Sequence, residues 1–204
     1  MGQLIFPIPQ PGSRASQWGA NASLPFKSRG FTLIELLVAV TVLAVLATIA
    51  TPSLVAMIDS AKLTSASNDL LAHLHLARSE AIKRNSRVVL CKSADGAACS
   101  ESGGWEQGWI VFHDANNDGE RSGSETIIQR QLPLAVSLRL TGNQNVAKYV
   151  SFSPSGATKL VGGNFQAGTL TVCHHSAEGG EARQIVLNAV GRPRVQKTAV
   201  TSCV

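Results

Sequence analysis

The side chains with chemical potential fall into three groups along this 204-residue chain. Asp114-Ala115-Asn116-Asn117-Asp118-Gly119, followed by Glu125, matches the D-x-N-x-D-G-x5-E spacing of a calcium loop. Oxygens at alternate positions and a distal carboxylate suit a hard cation. The flanks argue otherwise, because Gly108–His113 and Thr126–Leu132 read as strands rather than helices. The competing reading is a hairpin loop whose Asn, Asp and Gly supply turn geometry. Calcium at Asp114, Asn116, Asp118 and Glu125 is thus the one metal candidate, and no other cofactor is implied. Cys173-His174-His175 brings a thiol beside two imidazoles, but neighbours on a strand point to opposite faces and share one ion poorly. His73 and His75 lie two apart on a helix, about 200° around, which is equally poor for a shared ligand. The chain has no G-x-S-x-G, HExxH, phosphate-binding loop or CxxC, and Glu101, Glu106 and Glu120 are scattered in loops. No catalytic residue emerges, and the reading is not an enzyme.

The third group is basic. Formal net charge is +5, and residues 126–204 hold eight basic residues against only Glu178 and Glu181. Gln184–Val190 reads as a strand and runs into Gly191-Arg192-Pro193-Arg194-Val195-Gln196-Lys197. Glycine permits an unusual backbone angle, and Pro193 biases Arg192 toward extended backbone. In an extended run Arg192 and Arg194 project on one side, about 7 Å apart, a fit to successive phosphates on one nucleic-acid strand. Guanidinium forks suit phosphate oxygens. Arg192, Arg194 and Lys197 together imply about three phosphate contacts and a log K against log salt slope near −3. Lys148, Lys159 and Arg183 could add to the patch. The competing reading is an exposed turn with solvated arginines. Aromatics at 5% argue against a base-stacking platform, and 44% apolar with 15% charged residues excludes a disordered chain.

Phe31–Ala50 (FTLIELLVAVTVLAVLATIA) must position all of this relative to a membrane. It holds one charge, Glu35, and no Gly or Pro. At about 1.5 Å per residue it spans roughly 30 Å, a bilayer's hydrocarbon thickness. Lys27 and Arg29 precede it and would stay cytoplasmic. A carboxylate within such a segment costs about 3 kcal/mol and usually marks a function.

Gly30-Phe31-Thr32-Leu33-Ile34-Glu35 and the apolar run after it resemble the signal of type IV pilins and pseudopilins. The resemblance implies cutting after Gly30 by a prepilin peptidase, methylation of the new amino terminus at Phe31, and pairing of Glu35 with a neighbouring subunit's amino terminus. A leader of thirty residues is long for this family. With a β-rich head and Gly191-Arg192-Pro193-Arg194 near the end, the chain resembles the GspH/FimT family. The last motif is similar to that of FimT-type minor pilins, which bind DNA in natural transformation. The resemblance therefore implies an inner-membrane, single-pass protein with a periplasmic head, later built into a pilus at the cell surface. Its partners would be other pilins, the prepilin peptidase and DNA gripped sequence-independently by its phosphates. Two other functions stay open: a structural minor pilin that primes pilus assembly, and a minor pseudopilin of type II secretion.

The elements follow. Residues 1–30 form the leader, 31–52 the transmembrane and filament-core helix, 53–85 an amphipathic continuation, and 86–204 the β-rich head. Pro52 is expected to kink the helix. Leu54, Ile58, Ala61, Leu70, Leu74, Ala77 and Ala81 read as its buried stripe. Seven short strands are expected, at 87–92, 108–113, 126–132, 136–140, 149–152, 169–174 and 184–190, with Arg194-Val195 a further extension. The fold class is α+β: a long helix on a small antiparallel head. The four cysteines all follow the membrane segment and would oxidise in a periplasm. Cys91–Cys99 and Cys173–Cys203 is the economical pairing among three connectivities.

Overall fold

The computed structural model describes residues 30–176 and 178–203. The leader, apart from Gly30, lies outside the described residues. The chain forms two compact units, residues 1–46 and 47–204.

Leu33–Arg84 is one helix of 52 residues, α1. Thr32 caps it, its Oγ1 accepting from the Glu35 N–H at 3.3 Å. The first unit, as far as it is described, is the start of α1, and every residue in it is exposed. The most apolar 18-residue window of α1 has a mean hydropathy of 2.6, and the helix is long and apolar enough to cross a membrane.

In the second unit α1 runs through Pro52, which removes one donor. Thr51 Oγ1 donates back to Ala47 O at 2.6 Å. The buried stripe is Leu63, Ala66, Ser67, Leu70, Leu74, Ala77 and Ala81. The expected stripe is therefore wrong in its first turns: Leu54, Ile58 and Ala61 are exposed. At about 100° per residue Ala61 lies roughly opposite Leu70, so those three residues belong to another face.

Among the described residues eight strands make two antiparallel sheets. They are β1 (Val88–Lys92), β2 (Trp109–His113), β3 (Ile127–Gln131), β4 (Leu138–Gly142), β5 (Tyr149–Phe152), β6 (Gly168–His174), β7 (Gly180–Leu187) and β8 (Pro193–Val200). The orders are β3-β2-β1-β5 and β4-β6-β7-β8. One core joins the α1 stripe to both sheets through Leu90, Trp109, Val150, Phe152, Leu170 and Ile185. Each large side chain buried here contributes about 1.5–3 kcal/mol. Trp109 donates from Nε1 to His73 Nδ1 at 3.1 Å, and burial pushes the His73 imidazole below its usual range, with Asp69 opposing. That acceptor role requires the neutral ring.

The eighth strand departs from expectation. The reading placed a strand at 184–190 and only a short extension at 194–195. Instead β7 begins at Gly180 and ends at Leu187, and β8 is a full partner of eight residues. Pro193 sits at the first position of β8, an edge strand, where its missing N–H is tolerated.

Candidate nucleic-acid interface

The basic C-terminal element is the β7–β8 hairpin. Leu187 pairs with Pro193, Val186 with Arg194, Ile185 with Val195 and Arg183 with Lys197. Residues 188–192 make the turn. Asn188 organises it: its carbonyl accepts from Gly191 N at 2.9 Å and its Oδ1 from Arg192 N at 2.9 Å. Thr158 Oγ1 donates to the same Asn188 carbonyl at 2.9 Å, fastening the turn to a neighbouring segment. Gly191 has φ +74°, and a Cβ there would stand 2.1 Å from Gly156 O. Both the backbone angle and the close approach require glycine.

Strand alternation sorts the cations. Ile185, Leu187 and Val195 face the shared core, whereas Val200 packs outward with Cys173, Ala182 and Cys203. Arg194 and Gln196 therefore project from the outer face, and Gln196 Nε2 donates to Gln184 Oε1 at 2.9 Å. Arg192 closes the turn, one residue before β8 begins and two before Arg194. Both arginines are exposed, and among the described residues neither meets a carboxylate. Lys197 is exposed but has the opposite parity. It lies close enough to Glu181 for its charge to help hold that carboxyl below its usual range, after the larger effect of Arg183. Arg192 and Arg194 are thus both exposed at the start of β8, while Lys197 lies on the other face of that strand from Arg194.

Two other basic residues are spent internally. Arg183 is 2% exposed and donates to Glu181 at 2.8 Å and to Ser60 Oγ at 3.2 Å, so it ties β7 to α1. Lys148 pairs with Glu101. Sequence reasoning missed Asn188, Gly156 and Thr158, which hold the turn in place; only the Asn188-to-Gly191 spacing hinted at them.

The Asp114–Glu125 loop directs its oxygens inward. Asp114 is fully buried, accepting from Asp118 N at 3.2 Å and Gly119 N at 3.0 Å, with Arg87 Nε 3.9 Å away. Burial raises its pKa, and the Gly119 N–H opposes the rise. Glu125 accepts from Ala115 N at 2.8 Å and Ser122 N at 2.9 Å, and Asp118 from Glu120 N at 2.8 Å. Asn116 donates to Asp118 at 2.7 Å. Among the described residues no group of three or more His, Cys, Asp or Glu side chains is placed to hold a metal ion.

Cys91 is bonded to Cys99 and Cys173 to Cys203. The second bridge and the Ser176–Cys203 backbone pair fasten the C-terminal tail to the head. His174 and His175 diverge, the first reaching Asp59 O and the second Cys203 O, each at 3.1 Å. At the other end of the chain Gly30 and Phe31 are exposed, and among the described residues no cation pairs with the Glu35 carboxylate.

The model of the type II transport protein GspH family matches residues 66–191, and that of the prokaryotic N-terminal methylation motif matches residues 25–51. No curated protein matches the chain. Among solved structures it is similar to the type IV minor pilin FimU of Pseudomonas aeruginosa, at TM-score 0.54 and 21% identity over 72% of this chain and 98% of that one. A second crystal form of FimU gives TM-score 0.50 and 20% identity over 70% and 100%. The minor pseudopilin EpsH of the Vibrio cholerae type 2 secretion system gives 0.46 and 14% over 66% and 96%. At these identities the likeness is one of fold. The matched family model covers most of the chain, from the buried stripe of α1 to the glycine of the β7–β8 turn, and the chain belongs to the GspH family of type IV pilin-like minor pilins and pseudopilins.

Proposed function

We propose that the protein is a minor type IV pilin that binds DNA through its β7–β8 hairpin and serves DNA uptake in natural transformation. The supporting observation is the pair Arg192 and Arg194, exposed, free of carboxylates among the described residues, and anchored by Gly191 and Asn188. Two guanidinium–phosphate contacts give a salt slope of about −2 and weak, sequence-independent binding. Lys197 adds charge from the other face of β8. Many copies along a filament supply avidity.

Assembly comes from the other end. Prepilin peptidase cuts after Gly30, Phe31 becomes the methylated amino terminus, and α1 holds the subunit in the inner membrane as a single span before packing it among other pilins. Glu35, which meets no cation among the described residues, pairs with the amino terminus of a neighbour. A buried carboxylate needs such a cation, and fixing register is a well-attested use of one.

The description of the matched family favours a second reading, a minor pseudopilin of type II secretion. Replacing Arg192 and Arg194 with Gln in the host separates the two. Lost transformation with intact piliation supports DNA uptake; unchanged transformation with impaired protein secretion supports the pseudopilin.

A further inference from the structure

Arg78 lies on the head-packed part of α1, and its Nε is buried without a hydrogen-bond partner. Native proteins seldom leave a buried donor unanswered, so the exception calls for an explanation. The neighbouring carboxylate, Glu80, is taken by Arg84 at 2.6 Å and Lys83 at 3.4 Å. Of the three guanidinium nitrogens only Nε is enclosed, and the two Nη atoms make no bond within the described residues.

What encloses Nε is the turn at Gly156. This glycine has φ +75°, and a Cβ there would stand 3.1 Å from Arg78 Nε and 2.8 Å from Ile82 Cδ1. The carbonyl of Gly156 in turn lies against Gly191, where a Cβ would meet it at 2.1 Å. Two bare glycines therefore stack α1, the Ser153–Ala157 turn and the β7–β8 turn with no side chain between them. The stack sets Arg78 Nε on one side of the Gly156 turn and Gly191 on its carbonyl, so the Arg78 guanidinium lies one glycine away from the β7–β8 turn.

We propose that Arg78 is a third phosphate-binding residue of the hairpin site, its Nη fork meeting the phosphate next to the one held by Arg192. The inference rests on the DNA-binding reading of the hairpin. A planar fork with no acceptor among the described residues is suited to phosphate oxygens, and α1 gives it a firm seat.

The test uses the full chain in a non-ionic detergent and a fluorescent 20-base-pair duplex over a salt series. Arg78→Gln should weaken binding about three- to tenfold near 0.1 M salt and make the log–log slope shallower by about one, while Arg78→Lys keeps the slope. Circular dichroism checks that both variants fold. A second measurement needs no substitution: arginine-specific modification by phenylglyoxal, read by peptide mass spectrometry, should show Arg78 protected by the duplex together with Arg192 and Arg194. If Arg192→Gln/Arg194→Gln flattens the slope while Arg78→Gln matches wild type and Arg78 goes unprotected, Arg78 is structural and the inference fails alone. If the wild-type chain shows no salt-dependent binding, the hairpin reading falls and takes the inference with it.

Discussion

The Asp114–Glu125 loop and the 188–192 turn both use asparagine and glycine to shape the chain, yet they treat charge in opposite ways. In the first, Asp114, Asp118 and Glu125 accept from the loop's own N–H groups, and Arg87 stands beside Asp114. In the second, Asn188 does the holding with neutral groups, and the charged residues that follow point away with nothing to meet. A charge consumed by its own loop serves folding. A charge left over on a rigid turn is available to a partner.

The largest effect expected from breaking this contrast is on stability. Asp114→Ala orphans the buried Gly119 N–H and takes the neighbouring carboxylate from Arg87, and should cost about 3 kcal/mol, lowering the melting temperature of the head by roughly 10 °C with DNA binding by the folded protein unchanged. Next is Gly191→Ala, which forces a Cβ onto Gly156 O at positive φ. Strain of about 1–3 kcal/mol should appear in thermal melts, accompanied here by weaker DNA binding, because the turn itself must shift. Acid should act on the buried polar groups and spare the arginines. Neutral His73 accepts from Trp109, and its folded-state pKa lies below the ordinary value, so its contribution is complete above pH ~6.5 and lost as pH falls below that. Melting temperature should therefore drop between pH 7.5 and 5.5, and His73→Gln should flatten that dependence. The smallest effect is expected from calcium. With the loop oxygens already bonded to backbone, millimolar calcium should shift melting by less than about 1 °C, and a larger rise would mean that the loop reorganises to take the ion.

The same contrast explains what could be read beforehand. The apolar run, the single glutamate in it and the GRPR segment are local, and local patterns survive in a sequence. The parity that separates Lys197 from Arg194 was also countable, but which face of β8 meets the core depends on its pairing with β7. Ala61 is apolar and near the stripe in sequence, but its phase about Leu70 is off by roughly half a turn, so spacing places it on another face. Beyond Arg194-Val195 the length of β8 was not legible, because Pro193 and the run of polar residues after it conceal an edge strand. Arg78 was invisible, since one arginine on a polar helix face looks solvated until a glycine turn is found lying across it.

The central claim is that Arg192 and Arg194 are left over for phosphate. Its most direct test is the salt dependence of duplex DNA binding by the full chain, wild type against Arg192→Gln/Arg194→Gln. The account predicts that the log–log slope of the variant is shallower by about two with the melting temperature unchanged. Two parallel lines would contradict it.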